Sequence, residues 1–188
     1  MSGIWVFGYG SIMWNPGFSY KTKQTCFITG WERRFWQASS DHRGTEFLPG
    51  RVVTLTQKKY SRCWGVAYNI DQRRENKVLE SLDLREKNGY ERIATIATSL
   101  LGRSFDCLTY VARPNNPYYL EEASLDRIAR QINSARGPSG TNAEYITSMI
   151  RQLRRLGVYD QHVEYKEVQR QQFFLFQFEL RQLDLFFL

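Results

Sequence analysis

Gly8-Tyr9-Gly10-Ser11 follows directly on the apolar run Ile4-Trp5-Val6-Phe7. Backbone N–H groups in a glycine-containing turn can converge on a carboxylate, and glycine lets a ligand approach the chain closely. Ser11 adds a hydroxyl to such a cradle. The alternative is a tight connection that holds nothing. A second stretch, "LDLREKNGY", places Glu86 at the end of a helical pattern, beside Arg85, Lys87 and a turn. A carboxylate in that position can move protons, or it can be half of an ordinary surface ion pair.

Other chemistries lack their parts. Gly8 and Gly10 begin a dinucleotide fingerprint, but Met13 stands where its third glycine belongs. No Gly-Lys-Ser/Thr occurs, which excludes a P-loop. His42 and His162 are the only histidines, and a Ser-His-Asp triad would need one of them. Asp41 adjoins His42 in sequence, a poor arrangement for orienting an imidazole, so a structural turn is expected at "SSDHRG". Metal ligands at useful spacing are absent. Cys26, Cys63 and Cys107 are odd in number and far apart, and read as buried thiols in a reducing compartment. The net charge of +7 suits an anionic ligand or a nucleic acid, and equally a solvated basic surface.

The elements that must position these residues are legible in outline. At 188 residues with 42% hydrophobic content, the chain reads as one globular domain, 1–188. Strand signals fall at 4–7, 24–29, 33–38, 51–56 and 63–70, separated by "DHRG", "LPG" and the charged "KKYSR". Asp71 can cap a helix carrying Val78, Leu79 and Leu82, which stops before Asn88-Gly89. Two more strands follow near 91–98 and 104–111. Ser124 caps a second helix with the stripe Leu125, Ile128, Ala129, Ile132 and Ala135, which Gly137-Pro138 should end. Thr141 and Glu144 form a capping box for a third, with Tyr145, Met149, Leu153 and Leu156 on one side. A last helix is expected from about Asp160. This order indicates an α+β or mixed α/β domain whose sheet can curl. The start lacks a secretory pattern, and no run of 18 apolar residues occurs, so a cytoplasmic protein without membrane contact is expected.

Five segments, "WVFGYGSIMW", "RRFWQASSDHRGTEFLPGRVVTL", "WGVAY", "LDLREKNGY" and "ARGPSGTNAEY", resemble in order the ChaC-type, glutathione-specific γ-glutamylcyclotransferases. The resemblance covers about 4–156 and departs after about 160. It implies the γ-glutamylcyclotransferase fold, a small, partly closed, barrel-like mixed sheet with flanking helices. The implied reaction converts glutathione to 5-oxoproline and cysteinylglycine with no cofactor. Val6, Phe7, Gly8, Tyr9, Gly10 and Ser11 match the loop that holds the γ-glutamyl group, with Ile12 where leucine is usual. Glu86 matches the acid/base glutamate, and Arg51 and Tyr110 match segments near the site. For Arg51, binding an anionic group and bracing the turn are both open.

Such a reaction would fit what the sequence lacks, because the substrate's own α-amine is the nucleophile and the enzyme need only fold the chain and move protons. Two rivals stand beside it. Arg33, Arg34, Phe35 and Trp36 interleave charge and aromatic as a single-stranded nucleic-acid binder does. The same fold could also serve as an inactive scaffold. The tail "QQFFLFQFELRQLDLFFL" is unusual: Phe173, Phe176, Leu180, Leu183 and Phe187 form a helical stripe, while Phe174, Phe176, Phe178 and Leu180 alternate as a strand. It is expected to pack on its own domain or to build an oligomer.

Overall fold

The computed structural model of the chain describes residues 3–171, except Lys87, Tyr165, Lys166, Val168 and Gln169. The apolar tail at 173–188 lies outside the described residues. Five strands close into a barrel: β1 (Trp5–Gly8), β2 (Thr22–Ser39), β3 (Gly50–Asn69), β4 (Tyr90–Ser99) and β5 (Ser104–Ala112), in the spatial order β1-β3-β2-β4-β5. β1 runs antiparallel to β3, with Val6 opposite Tyr68, and parallel to β5, with Val6 opposite Leu108. That parallel contact closes the sheet, so the shortest strand has neighbours on both sides and is buried.

Alternation in β2 sends Cys26, Ile28, Phe35 and, unexpectedly, Arg33 inward. The sequence runs 24–29 and 33–38 are one strand, bent by register shifts at Thr29/Trp31 and Arg34/Gln37. Likewise 51–56 and 63–70 are one strand. Thr29 faces Arg62 and Trp31 faces Gln57, so residues 58–61 bulge outward between paired positions. The "KKYSR" segment is therefore an excursion within β3 and not a chain reversal. Long strands that must curl into a barrel need such bulges, which raise local twist without ending the ladder.

The helices fill the connections. Asp71 accepts from Arg73 N and caps a single 3₁₀ turn, Gln72–Arg74, that leads into α1 (Glu75–Arg85). α1 buries Val78 and Leu82 against the barrel and ends beside the cavity described below. α2 (Leu125–Ser134) starts at a Ser124 cap and buries Ile128, Ala129 and Ile132. It ends three residues before Gly137, not at it. Arg136–Gly137 and Gly140–Thr141 form a minimal hairpin, β6 and β7. Gly137 is required there by a close approach: a Cβ would stand 2.4 Å from the His42 carbonyl oxygen. α3 (Asn142–Arg155) has both halves of its Thr141/Glu144 capping box and buries Tyr145, Ile146, Met149 and Leu153. The chain turns helical again after Asp160, whose carboxylate accepts from Val163 N at 3.2 Å. No helix among the described residues is long and apolar enough to cross a membrane.

Candidate active site

β1 delivers the chain to the rim of the barrel. There Gly8-Tyr9-Gly10-Ser11 bends into a single 3₁₀ turn, Ser11–Met13, closed by Met13 N donating to Gly10 O at 3.0 Å. Gly8 has no room for a side chain, since a Cβ would meet Ile12 Cγ2 at 2.6 Å. Tyr9 anchors the bend from both ends. Its hydroxyl donates to Tyr110 O at 2.6 Å, and its carbonyl accepts from Arg33 Nε at 2.8 Å. Arg33 can be buried because Trp64 O accepts from it at 2.6 Å and Asp160 neutralises it.

A cavity of about 350 Å³ opens over this bend. The turn forms one wall and the end of α1, with Arg85 and Glu86, forms another. Asp41, His42 and Arg43, Ser139, and the rings of Tyr90 and Tyr145 also line the cavity. Glu86 is the first residue past α1, and its N–H donates to Leu82 O at 2.8 Å. Its side chain is 17% exposed. Burial pushes the Glu86 carboxyl above the ordinary glutamate range; Arg85 opposes this and the charge of Asp41 adds to it.

Arg85 joins the two stretches singled out in the sequence. Its Nε lies 3.4 Å from Glu86 Oε1. Its Nη2 donates to Ser11 Oγ at 2.9 Å, and its Nη1 donates to the carbonyls of Asn15 and Pro16, both at 2.9 Å. The Arg85–Glu86 pair is therefore a clamp between the helix end and the turn, and not a surface ion pair.

The expected site residues divide cleanly. Phe7, Gly8, Tyr9, Gly10, Ser11, Glu86 and Tyr110 all line the cavity. Tyr110 directs its hydroxyl to Asp83 Oδ1 at 2.7 Å. Val6 and Arg51 are not among the lining residues. Val6 is wholly buried between Tyr68 and Leu108. Arg51 donates from Nε to Gln131 Oε1 at 2.7 Å and from Nη1 to Phe35 O at 2.8 Å, while its own N–H and C=O pair with Asn142. Its hydrogen bonds go neither to the cavity nor to the Gly8–Ser11 turn; they tie β3 to β2 at Phe35 and to α2 at Gln131. Burial, with Arg127 nearby, pulls its pKa down to about 10. Arg51→Lys loses the fork that reaches both acceptors. It is expected to lower the melting temperature, with a cost of about 1–3 kcal/mol, and to leave KM for the substrate within a few-fold. A large KM increase at unchanged stability would instead make Arg51 a ligand contact.

Sequence reasoning gave no chemical role to Arg43, Ser139, Tyr90 or Tyr145, and expected only a turn at His42. "SSDHRG" and "ARGPSG" meet at the cavity because Gly137 lets the two loops touch. Ser139 N donates to His42 O at 2.9 Å, and His42 Nδ1 lies 3.1 Å from Ser139 Oγ. Arg43 extends over the Tyr145 ring at 5.8 Å and donates to Thr141 O. The Arg-aromatic run that suggested nucleic acid is turned inward at Arg33 and Phe35, both buried, and leaves Arg34 and Trp36 half-buried.

A family model described as ChaC-like protein matches residues 4–171. The mouse protein named glutathione-specific γ-glutamylcyclotransferase 1 is 38% identical over 167 residues, covering 86% of this chain and 75% of the mouse one. A Schizosaccharomyces pombe protein named glutathione-specific γ-glutamylcyclotransferase is 37% identical over 170 residues, covering 81% and 84% respectively. Among solved structures, a yeast γ-glutamyl cyclotransferase described as specific to glutathione superposes with a TM-score of 0.85 at 26% identity, over 92% of this chain and 97% of the yeast one.

Proposed function

This chain belongs to the ChaC-like family, and from that membership we propose that it is a glutathione-specific γ-glutamylcyclotransferase, releasing 5-oxoproline and cysteinylglycine. One observation carries the reading at the level of residues: a single guanidinium, Arg85, holds the Glu86 carboxylate and the Ser11 hydroxyl at one end of the same cavity. The group that moves protons and the turn that holds the amino-acid end of the substrate are thereby fixed relative to each other.

The chemistry follows from the substrate. The α-carboxylate lies against the Gly8–Ser11 turn, whose Ser11 hydroxyl can donate to it. The adjacent α-ammonium then faces Glu86. A free α-amine has a pKa of about 8, so Glu86 must first take a proton. The freed amine attacks the γ-carbonyl carbon, a C–N bond forms, and the carbonyl π electrons move onto oxygen. Collapse of this intermediate breaks the bond to the cysteine nitrogen. Over the cycle two protons leave the attacking nitrogen and two arrive on the leaving nitrogen, with Glu86 accepting and returning them. Holding amine and carbonyl in one bent conformation supplies much of the rate, since well-oriented intramolecular reactions reach effective molarities of about 10⁵–10⁸ M.

The direct test is release of 5-oxoproline and cysteinylglycine in equal amounts when the purified protein is given glutathione; no release would end the proposal. The acidic limb of kcat/KM gives a second check. Glu86 works as the carboxylate and burial raises its pKa, so activity should rise with pH through a value above the ordinary glutamate pKa of about 4.3. A limb at or below that value would assign it to another group.

A further inference from the structure

The γ-carbonyl oxygen gains negative charge when the amine attacks, and it needs a donor that is already in place. Among the described residues four tyrosines line the cavity: Tyr9, Tyr90, Tyr110 and Tyr145. Three have committed their protons. Tyr9 donates to Tyr110 O at 2.6 Å, Tyr90 to Val53 O at 2.7 Å, and Tyr110 to Asp83 Oδ1 at 2.7 Å. Thr109 is spent in the same way, donating to Phe7 O at 2.9 Å.

Tyr145 has the opposite arrangement. Its oxygen accepts, from Val53 N at 3.4 Å, and among the described residues its proton has no acceptor. The hydroxyl lies against the turn: it would stand 3.2 Å from a Cβ placed on Gly10. The ring is fixed by edge contacts with Trp14 and Phe35 at centroid distances of 5.5 and 6.3 Å, and by Arg43 over its face. Side-chain freedom is thus lost on folding and not during the reaction.

We propose that Tyr145 is a catalytic residue that donates its hydroxyl hydrogen to the γ-carbonyl oxygen of the substrate as that oxygen becomes an oxyanion. This rests on the cyclotransferase reading above and adds the donor that reading requires. The proton is shared and not transferred. When the tetrahedral intermediate collapses, the electron pair returns to the carbonyl, the bond to the cysteine nitrogen breaks, and Glu86 supplies the proton to that nitrogen. Burial pushes the Tyr145 pKa up, and the nearby Glu86 charge adds to this, so the phenol stays a donor throughout the working pH range. A side chain at Gly10 would crowd this hydroxyl and Val53, so glycine there keeps the donor uncovered.

Steady-state kinetics of Tyr145→Phe with glutathione test the proposal. Removing one oxyanion donor typically costs about 10²–10³ in kcat. That loss is expected in kcat, with KM held within a few-fold, the melting temperature close to wild type and the acidic limb of the pH profile in place. Tyr90→Phe removes a hydroxyl already committed to the carbonyl of the same residue, Val53, and should cost less kcat than Tyr145→Phe. If Tyr145→Phe does not fold, Tyr145→meta-fluorotyrosine keeps the ring and the Val53 contact while making the phenol more acidic, and kcat must respond to that change. Wild-type turnover with a Tyr145→Phe kcat within a few-fold overturns the assignment, as does a loss carried wholly by KM or a kcat blind to the fluorinated residue. Absence of wild-type turnover would instead remove the cyclotransferase reading itself.

Discussion

Glu86→Gln is expected to lose at least about two decades of kcat, the scale of general acid–base catalysis, and to melt at a higher temperature than wild type at neutral pH. Glutamine keeps the shape and can still meet Arg85, but it can neither take nor return a proton. The stability gain follows from the direction of the pKa shift. The folded state holds the Glu86 proton more tightly than the unfolded chain, because burial outweighs the attraction of Arg85. Stabilisation of this kind is complete below the unfolded pKa of about 4.3 and is lost as pH rises through the raised folded value. At neutral pH the native enzyme therefore carries a buried charge at a cost, and glutamine removes that cost. The difference in melting temperature should shrink as pH falls toward the ordinary glutamate pKa of about 4.3, where the wild-type carboxyl is increasingly neutral as well. A folded Gln variant with kcat within a few-fold of wild type would remove Glu86 from proton transfer. An active-site group that destabilises the fold while serving the reaction is a common exchange of stability for activity.

Much of the frame is local in origin and was readable in the sequence. The Ser124 cap, the Thr141/Glu144 box and the apolar spacing of α2 and α3 lie within a few residues of the contacts they make. Barrel closure is different, because Val6 meets Leu108 in parallel and nothing near either residue encodes that pairing. Gly137 has the look of a helix stop, yet its constraint comes from His42 on the loop it touches. The site shows the same division. Glu86 and the turn are legible as candidates through their segments, and both line the cavity. Arg85 is not legible in that way, because its acceptors Ser11, Asn15 and Pro16 are distant in sequence. Tyr145 belonged to an apolar stripe, and its ring does pack in the core; only the direction of one hydrogen bond, from Val53 N to its oxygen, distinguishes it from the other cavity tyrosines. Arg51 was placed near the chemistry by its segment, but the pleat of β3 turns its side chain toward Gln131 on α2.

Arg85→Met should lower kcat/KM for glutathione by about 10²-fold, the usual penalty for reacting groups displaced by an ångström or so, and shift the acidic limb of the pH profile upward. Methionine fills similar space but gives nothing to Ser11, Asn15 and Pro16, so the turn loses its tie to the end of α1. It also removes the positive charge that holds the Glu86 pKa down, leaving burial and Asp41 unopposed. The two effects separate in a second variant. Arg85→Lys restores a positive charge near Glu86 and should bring the pH limb back toward wild type. Its single ammonium cannot reach the helix end, Ser11 and two carbonyls together, so KM should stay raised. A general loss of folding would lower activity in both variants without moving the limb in either. If Arg85→Met instead retains the wild-type limb and KM, the guanidinium is not the link between turn and acid, and the Glu86 environment must be held by the Asp41 loop alone.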